Sequence, residues 1–262
     1  MIKVNGEVLK TETFPNGEIK IKDFKVESEN NISFKFHSCV DIVNLIMIKS
    51  HIDENNSRAN NYLHINYFPF SRMDRTIKGD LFTLKGMCKL INDMNFDIVY
   101  TSDNHSNVTD ALLDRNVNKT MIPVLLKEVE KEFDIDFLFY PDLGALKRYR
   151  FDNYKSLVGE KDRDPFTGWI TKYEVREKEN LIEKNIVIID DLCSGGKTFE
   201  LASIELNRLG ANKIILCVSH VEENIFNGSI FKENSLIDCV YSTNSIIDSL
   251  KSFEKLKIVK VF

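Results

Sequence analysis

The run Ile186-Val187-Ile188-Ile189 is apolar and β-branched at every position, as in a strand buried on both faces of a parallel sheet. Asp190 and Asp191 stand where that strand should end, and Ser194-Gly195-Gly196-Lys197-Thr198 follows as a short loop. Residues 199–209 then space their apolar side chains as a helix does, and Gly210 closes it. Strand, glycine loop and helix N-terminus in that order form a cradle for an anion. Glycines let backbone N–H groups come close, and the helix dipole favours negative charge there. The two acids are acceptors placed for sugar hydroxyls or a metal. An ordinary βα turn explains them poorly, because paired acids at a buried strand end cost free energy unless they are used. The loop is not a Walker A loop, since the first glycine of G-x-x-x-x-G-K-[ST] is absent.

A chain of 262 residues can bury two α/β lobes more easily than one. Its net charge of −5 leaves no electrostatic footprint for nucleic acid or an anionic membrane, so any anionic ligand must be held by local basic groups. No apolar run approaches 18 residues, and Met1-Ile2-Lys3-Val4-Asn5 lacks a signal-peptide core, so no membrane association is expected. Cys39, Cys88, Cys193, Cys217 and Cys239 are odd in number and lack CxxC spacing, which fits reduced thiols in a cytoplasmic protein.

Along the chain, strands are expected at Ile2–Val4, Glu7–Leu9, Ile19–Phe24, Ile32–Phe36, from Ile98, at Lys213–Ser219, Leu236–Val240 and Ile258–Phe262. Helices are expected at Asp41–Ile52, Lys78–Asn92 and Lys127–Phe133. This alternation is α/β with parallel sheets. Several stretches carry chemistry. Phe14 beside Asn16 and Glu18 offers a platform for a purine, although Pro15-Asn16-Gly17 is also a plain turn signal. Arg72-Met73-Asp74-Arg75 closes a β-rich run, and Asp103-Asn104-His105 ends another strand. Asp142 stands at a strand end either as an oxygen ligand for Mg²⁺ or as a helix N-cap. Lys161 and Arg163 lie in a loop rich in acids. A hairpin is expected through Tyr173 to Val175, with tight turns at Asp164-Pro165 and Thr167-Gly168. Trp169 is either core or a stacking surface.

Taken together these segments resemble the ribose-phosphate pyrophosphokinases (PRPP synthetases). Residues 68–75 are similar to that family's [FY]-x-[FY]-A-R-Q-D-[RK], with Met73 in place of Gln. Asp103-Asn104-His105 resembles its Asp-Leu-His, and Tyr140 to Arg148 its Ser-Pro-Asp-x-Gly-Gly-x-Lys-Arg, with Tyr140 for Ser and Ala145 for the second Gly. Lys161-Asp162-Arg163 resembles its mobile Lys-x-Arg loop, and the 194–198 loop its ribose-5-phosphate loop. The resemblance runs from Phe14 to about Thr243 and implies two phosphoribosyltransferase-like lobes with the active site between them. The lobes would span 1–124, binding ATP, and 125–250, binding ribose phosphate, with a terminal strand in 251–262 that can return to the N-terminal lobe. It implies Mg²⁺-dependent transfer of the β,γ-diphosphate of ATP to the anomeric hydroxyl of a ribose 5-phosphate unit, releasing AMP.

By the same resemblance, Phe14, Asn16, Glu18, Arg72, Met73, Asp74 and Arg75 hold ATP. Lys161, Arg163 and His105 are catalytic, the first two stabilising the transferring diphosphate, and His105, Asp142 and Asp190 hold Mg²⁺. Asp190, Asp191, Ser194, Gly195, Gly196, Lys197 and Thr198 hold the ribose phosphate. The family also implies a homo-oligomer with the ATP site near a subunit interface. The 194–198 loop lacks one acid and gains one cation relative to the usual Asp-Thr-x-Gly-Thr. That change leaves two acceptors open: ribose 5-phosphate, or ADP-ribose as in short virus-encoded relatives assigned to NAD salvage. A type I phosphoribosyltransferase shares the loop but does not account for Phe14 to Glu18 or Arg72 to Arg75. A non-catalytic regulatory homologue would not need Lys161, Arg163, His105 and Asp142.

Overall fold

The computed structural model describes residues 1–76, 79–163, 170–177, 179–248 and 253–262, with the side chains of Arg163 and Ile170 outside that description. The expected turns at 164–168 and Trp169 lie outside it as well. The chain divides into two compact units, Met1–Thr120 and Met121–Phe262.

The first unit contains β1 (Ile2–Val4), β2 (Glu7–Val8), β3 (Thr11–Thr13), β4 (Ile19–Ile21), β5 (Glu29–Phe34), α1 (Cys39–Asn55), β6 (Asn60–Ile65), α2 (Thr83–Asp93), β7 (Ile98–Ser102), α3 (Asn107–Leu112) and β8 (Asn116–Lys119). Its main sheet has the order β2-β1-β5-β6-β7-β8. β5 to β8 pair parallel, while β1 runs antiparallel to both neighbours. Ile32, Phe34, Leu63, Ile65 and Val99 form one core with Leu45, Ile48 and Ile52 of α1 and Leu84, Met87 and Ile91 of α2. β3 and β4 make a separate two-stranded ribbon.

The second unit contains α4 (Ile122–Val129), β9 (Phe137–Tyr140), α5 (Leu143–Tyr149), β10 (Lys155–Arg163), β11 (Ile170–Val175), β12 (Asn185–Cys193), α6 (Lys197–Arg208), β13 (Lys213–Val221), β14 (Cys239–Thr243) and β15 (Leu256–Val259). Its sheet has the order β11-β10-β9-β12-β13-β14-β15. β11 is antiparallel to β10, and the other pairs are parallel. Because β12 is buried on both sides, its side chains alternate between two cores. Ile186 and Ile188 meet Phe199, Ala202 and Leu206 of α6, whereas Val187 and Ile189 meet α4 and α5 residues such as Leu125 and Ala145. All four strand residues are fully buried, each worth roughly 1.5–3 kcal/mol. Strand order reverses at the β9/β12 boundary, which makes the carboxyl ends of β9 and β12 a topological switch point, the usual place for a ligand crevice.

Several element bounds differ from the sequence reading. β12 runs on through Asp190 and Asp191 to Cys193, because β13 is equally long and pairs with it as far as Cys193↔Val221. α2 begins at Thr83; its expected start, Lys78, lies outside the described residues, and Gly79 takes φ +91°, a left-handed conformation that a helix does not continue through. α4 begins at Ile122 instead of Lys127, as Pro123 suits a first helical turn. β14 starts three residues later than expected, after a turn closed by Ile237 N–H on Ser235 Oγ. The terminal strand, expected to be able to return to the first lobe, pairs parallel with β14 inside the second unit. β8 was not anticipated; its exposed Asn and Lys residues hide the strand pattern.

Candidate active site

Three strand exits of the second unit bear candidate site side chains. After β12, Gly196 takes φ +78° as the N-cap of α6, so the loop backbone turns directly into the helix N-terminus. The loop is held from behind. Ser229 N–H donates to Gly195 O at 3.1 Å, and Asn224 Nδ2 lies 3.3 Å from Ser194 Oγ. A Cβ on Gly196 would come within 2.6 Å of the Ile230 side chain, and one on Gly228 within 2.2 Å of Gly195 O. Lys197 is exposed, and its Nζ pairs with Glu200 one helical turn on, at 2.8 Å.

Asp190 and Asp191, inside the end of β12, share Arg148 of α5. Its Nη1 lies 2.5 Å from Asp191 Oδ1 and 3.4 Å from Asp190 Oδ1. Burial, then the neighbouring Asp191 charge, pushes the Asp190 carboxyl well above the usual carboxylate range, while Arg148 pulls it down. Arg148 was present in the sequence marker ending at Lys147-Arg148, but no role followed from it there.

Asp142 follows β9 and serves as N-cap of α5, its Oδ1 accepting from Ala145 N–H at 2.9 Å. Its Oδ2 forms a close ion pair with Lys161 Nζ of β10. Burial raises the Asp142 pKa, but the Lys161 ammonium and the Ala145 and Gly144 amides outweigh that, leaving the carboxyl below its ordinary range. The absence of a side chain at Gly144 allows this approach, since a Cβ there would lie 2.9 Å from Asp142 Oδ1. The β10–β11 register shifts by one residue between Asp162↔Lys172 and Arg163↔Ile170.

In the first unit, the loops leaving β6 and β7 meet. Asp74 accepts from Arg75 Nε at 2.8 Å and from its Nη2 at 3.2 Å. The Arg75 guanidinium holds the Asp74 carboxyl below its usual range, with smaller contributions from the Ser106 hydroxyl and His105. Arg72 is exposed and Met73 half-buried in the same loop. His105 follows a constrained turn in which Asp103 takes φ +41°. Asn104 fixes that turn, donating to Thr101 Oγ1 at 2.8 Å and to Asp110 Oδ1 at 2.7 Å. Phe14, Asn16 and Glu18 stand apart on the β3–β4 ribbon. Phe14 is 50% exposed. Gly17 N–H donates to Phe14 O at 2.9 Å, and Glu18 N–H to Asn16 Oδ1 at 3.2 Å, so Asn16 also shapes the turn. Among the described residues, no three His, Cys, Asp or Glu side chains are preassembled as a metal site.

No family model matches the chain. Over 194 residues it is 29% identical to the ribose-phosphate pyrophosphokinase of Sulfurisphaera tokodaii, covering 69% of this chain and 63% of that protein. It is 28% identical over 192 residues to the ribose-phosphate pyrophosphokinase of Vibrio cholerae, covering 70% and 60% respectively. The chain is related to the ribose-phosphate pyrophosphokinases. The matches span less than two thirds of those relatives' own length. The phosphoribosylpyrophosphate synthetase of Mycobacterium smegmatis superposes with a TM-score of 0.78 over 97% of this chain and 86% of that one, at 17% identity, which establishes a shared fold. Two α/β units follow one another along this chain.

Proposed function

We propose that this chain is a diphosphotransferase of the ribose-phosphate pyrophosphokinase type. The anomeric hydroxyl of ribose 5-phosphate attacks the β-phosphorus of ATP, the bond from the β-phosphorus to the oxygen bridging it to the α-phosphorus breaks, AMP leaves, and the hydroxyl proton is lost. The observation that carries this reading is the clustering at one switch point of a glycine loop, two acids and an Asp–Lys pair on adjoining strand ends. Such a reaction depends on positioning and charge neutralisation more than on covalent chemistry.

In this reading the Ser194–Thr198 backbone and the α6 N-terminus hold the 5-phosphate, and Asp190 and Asp191, oriented by Arg148, accept from the ribose hydroxyls. Lys161 and Arg163 neutralise the transferring diphosphate, and His105 assists on the nucleotide. Arg72, Asp74 and Arg75 orient ATP. Phe14, with Asn16 and Glu18, offers an exposed ring for adenine, and its exposure suits a homo-oligomer in which it meets a neighbouring copy's nucleotide. Asp142 and Asp190 are hard oxygen donors that fit Mg²⁺ completed by substrate phosphates and water, the arrangement this ion prefers. Bound there or near His105, Mg²⁺ would neutralise phosphate charge.

For the acceptor, ribose 5-phosphate is favoured by the name of the curated relatives. The loop's extra cation, Lys197, is met by Glu200, so it is not reserved for a second phosphate of a bulkier substituent such as that of ADP-ribose. Mass spectrometry of the protein incubated with ATP, Mg²⁺ and either acceptor tests both points. AMP is expected with ribose 5-phosphate. AMP with ADP-ribose alone would reassign the acceptor, and no AMP with either would reject the reading.

A further inference from the structure

β9 and β10 pair only from Phe137↔Lys155 to Tyr140↔Val158, so beyond Val158 the strand bearing Lys161 no longer lies against β9. What ties it back to the Asp142 turn is Tyr173 on β11. Tyr173 faces Lys161 across the antiparallel pair, is buried, and donates its hydroxyl to Pro141 O at 3.1 Å. Pro141 precedes Asp142, whose carboxylate holds Lys161. The four residues thus close a ring of contacts: Lys161 to Tyr173 through strand register, Tyr173 to Pro141 through the hydroxyl, and Asp142 back to Lys161.

Gly159 makes this ring possible. A Cβ at that position would lie 2.4 Å from Tyr173 Oη and 2.8 Å from Pro141 O, and the second of these is backbone that cannot move aside. A buried phenol hydroxyl costs free energy unless it is bonded, and phenylalanine would fill the same core without that cost. Burial, then the charges of Asp142 and Asp190, raise the Tyr173 pKa far above the usual phenol range, so the hydroxyl remains a donor.

We propose that Tyr173 is a positioning residue of the transfer site: its hydroxyl, seated in the notch left by Gly159, sets where Lys161 stands relative to Asp142 and hence to the transferring diphosphate. This inference rests on the functional reading above. The test is Tyr173→Phe, which keeps the ring and deletes the bond. The kcat for AMP release should fall about 10-fold or more, since a small misplacement of a catalytic group is costly. The KM for ribose 5-phosphate should stay within about twofold and the melting temperature within a few degrees of wild type. Ile215→Val, a buried change in β13, serves as a control of similar stability loss and should keep wild-type kcat. A Tyr173→Phe enzyme with wild-type kcat overturns the inference, as does a control that loses kcat equally. A second readout does not depend on turnover. Acetylation of Lys161 by N-hydroxysuccinimidyl acetate, followed by peptide mass spectrometry, should quicken several-fold in Tyr173→Phe, and an unchanged rate overturns the inference. Failure of the wild type to release AMP counts against the functional reading alone.

Discussion

Lys161 meets Asp142 while Arg148 meets Asp190 and Asp191, so the acids at the switch point are held by cations of the same unit. The two pairs should respond differently to mutation. Lys161→Met is expected to lower kcat by about 10²–10³, the usual cost of losing one preorganised charge stabiliser, with a small effect on folding. Arg148→Met strands two acids that are mostly buried, and should cost about 3–5 kcal/mol in urea denaturation. Equal stability of the two variants would contradict this division of roles. Asp142, Asp190 and Asp191 could be picked out as candidates in the sequence because each stands at or just past an apolar strand run. Lys161 was singled out only by the family resemblance, which put it in a loop, and it lies instead within β10. Arg148, Tyr173 and Asn224 could not be picked out. Their partners lie 43, 32 and 30 residues away, and nothing local announces those contacts. For Asp142, metal ligand and helix N-cap were both open in the sequence. The structure shows the cap, and the metal role stays a proposal.

At the scale of elements, the strand-to-helix turn after β12 depends on what packs behind it. Gly228 has extended backbone that alanine can adopt, yet a Cβ there would meet Gly195 O at 2.2 Å. Gly228→Ala should therefore displace the acceptor loop, cost about 1–3 kcal/mol by overpacking, and raise the KM for ribose 5-phosphate while leaving that for ATP unchanged. Steady-state kinetics with each substrate varied would check it. The start of the β9–β12 pair is pinned by Asp136, which accepts from Asn185 N–H at 2.9 Å and from Lys184 Nζ at 3.0 Å. These contacts, the Asn185 amide first, hold its pKa below the ordinary value. The unfolded chain therefore binds the proton more readily, so this stabilisation is complete above the unfolded pKa of about 3.9 and is lost as pH falls through the depressed folded value. Asp136→Asn should flatten that part of a stability profile measured between pH 2 and 6, and an unchanged acid slope would contradict it. Strands were easier to read than their limits. β12 and β13 extend each other by pairing, and α2 is shortened by Gly79, effects that hydrophobic spacing does not encode.

For the molecule as a whole, each unit has its own core, and the second encloses its sheet on two faces. Residues 121–262 expressed alone should fold cooperatively and gain thermal stability with ribose 5-phosphate, as circular dichroism melts would show; a chain that melts without a transition would contradict this. The two-lobed α/β class was legible because strand and helix signals alternate along the chain and because ordered motifs resemble one family. The central claim is that two phosphates move together from ATP to an anomeric oxygen. Phosphorus NMR of a mixture of protein, ATP, Mg²⁺ and ribose 5-phosphate observes that transfer directly. The expected spectrum turns the α-phosphorus into the single resonance of AMP while the β and γ signals persist as a coupled diphosphate on the sugar. A spectrum showing ADP and a sugar that has gained one phosphate at its anomeric oxygen, or ATP left intact, would contradict it.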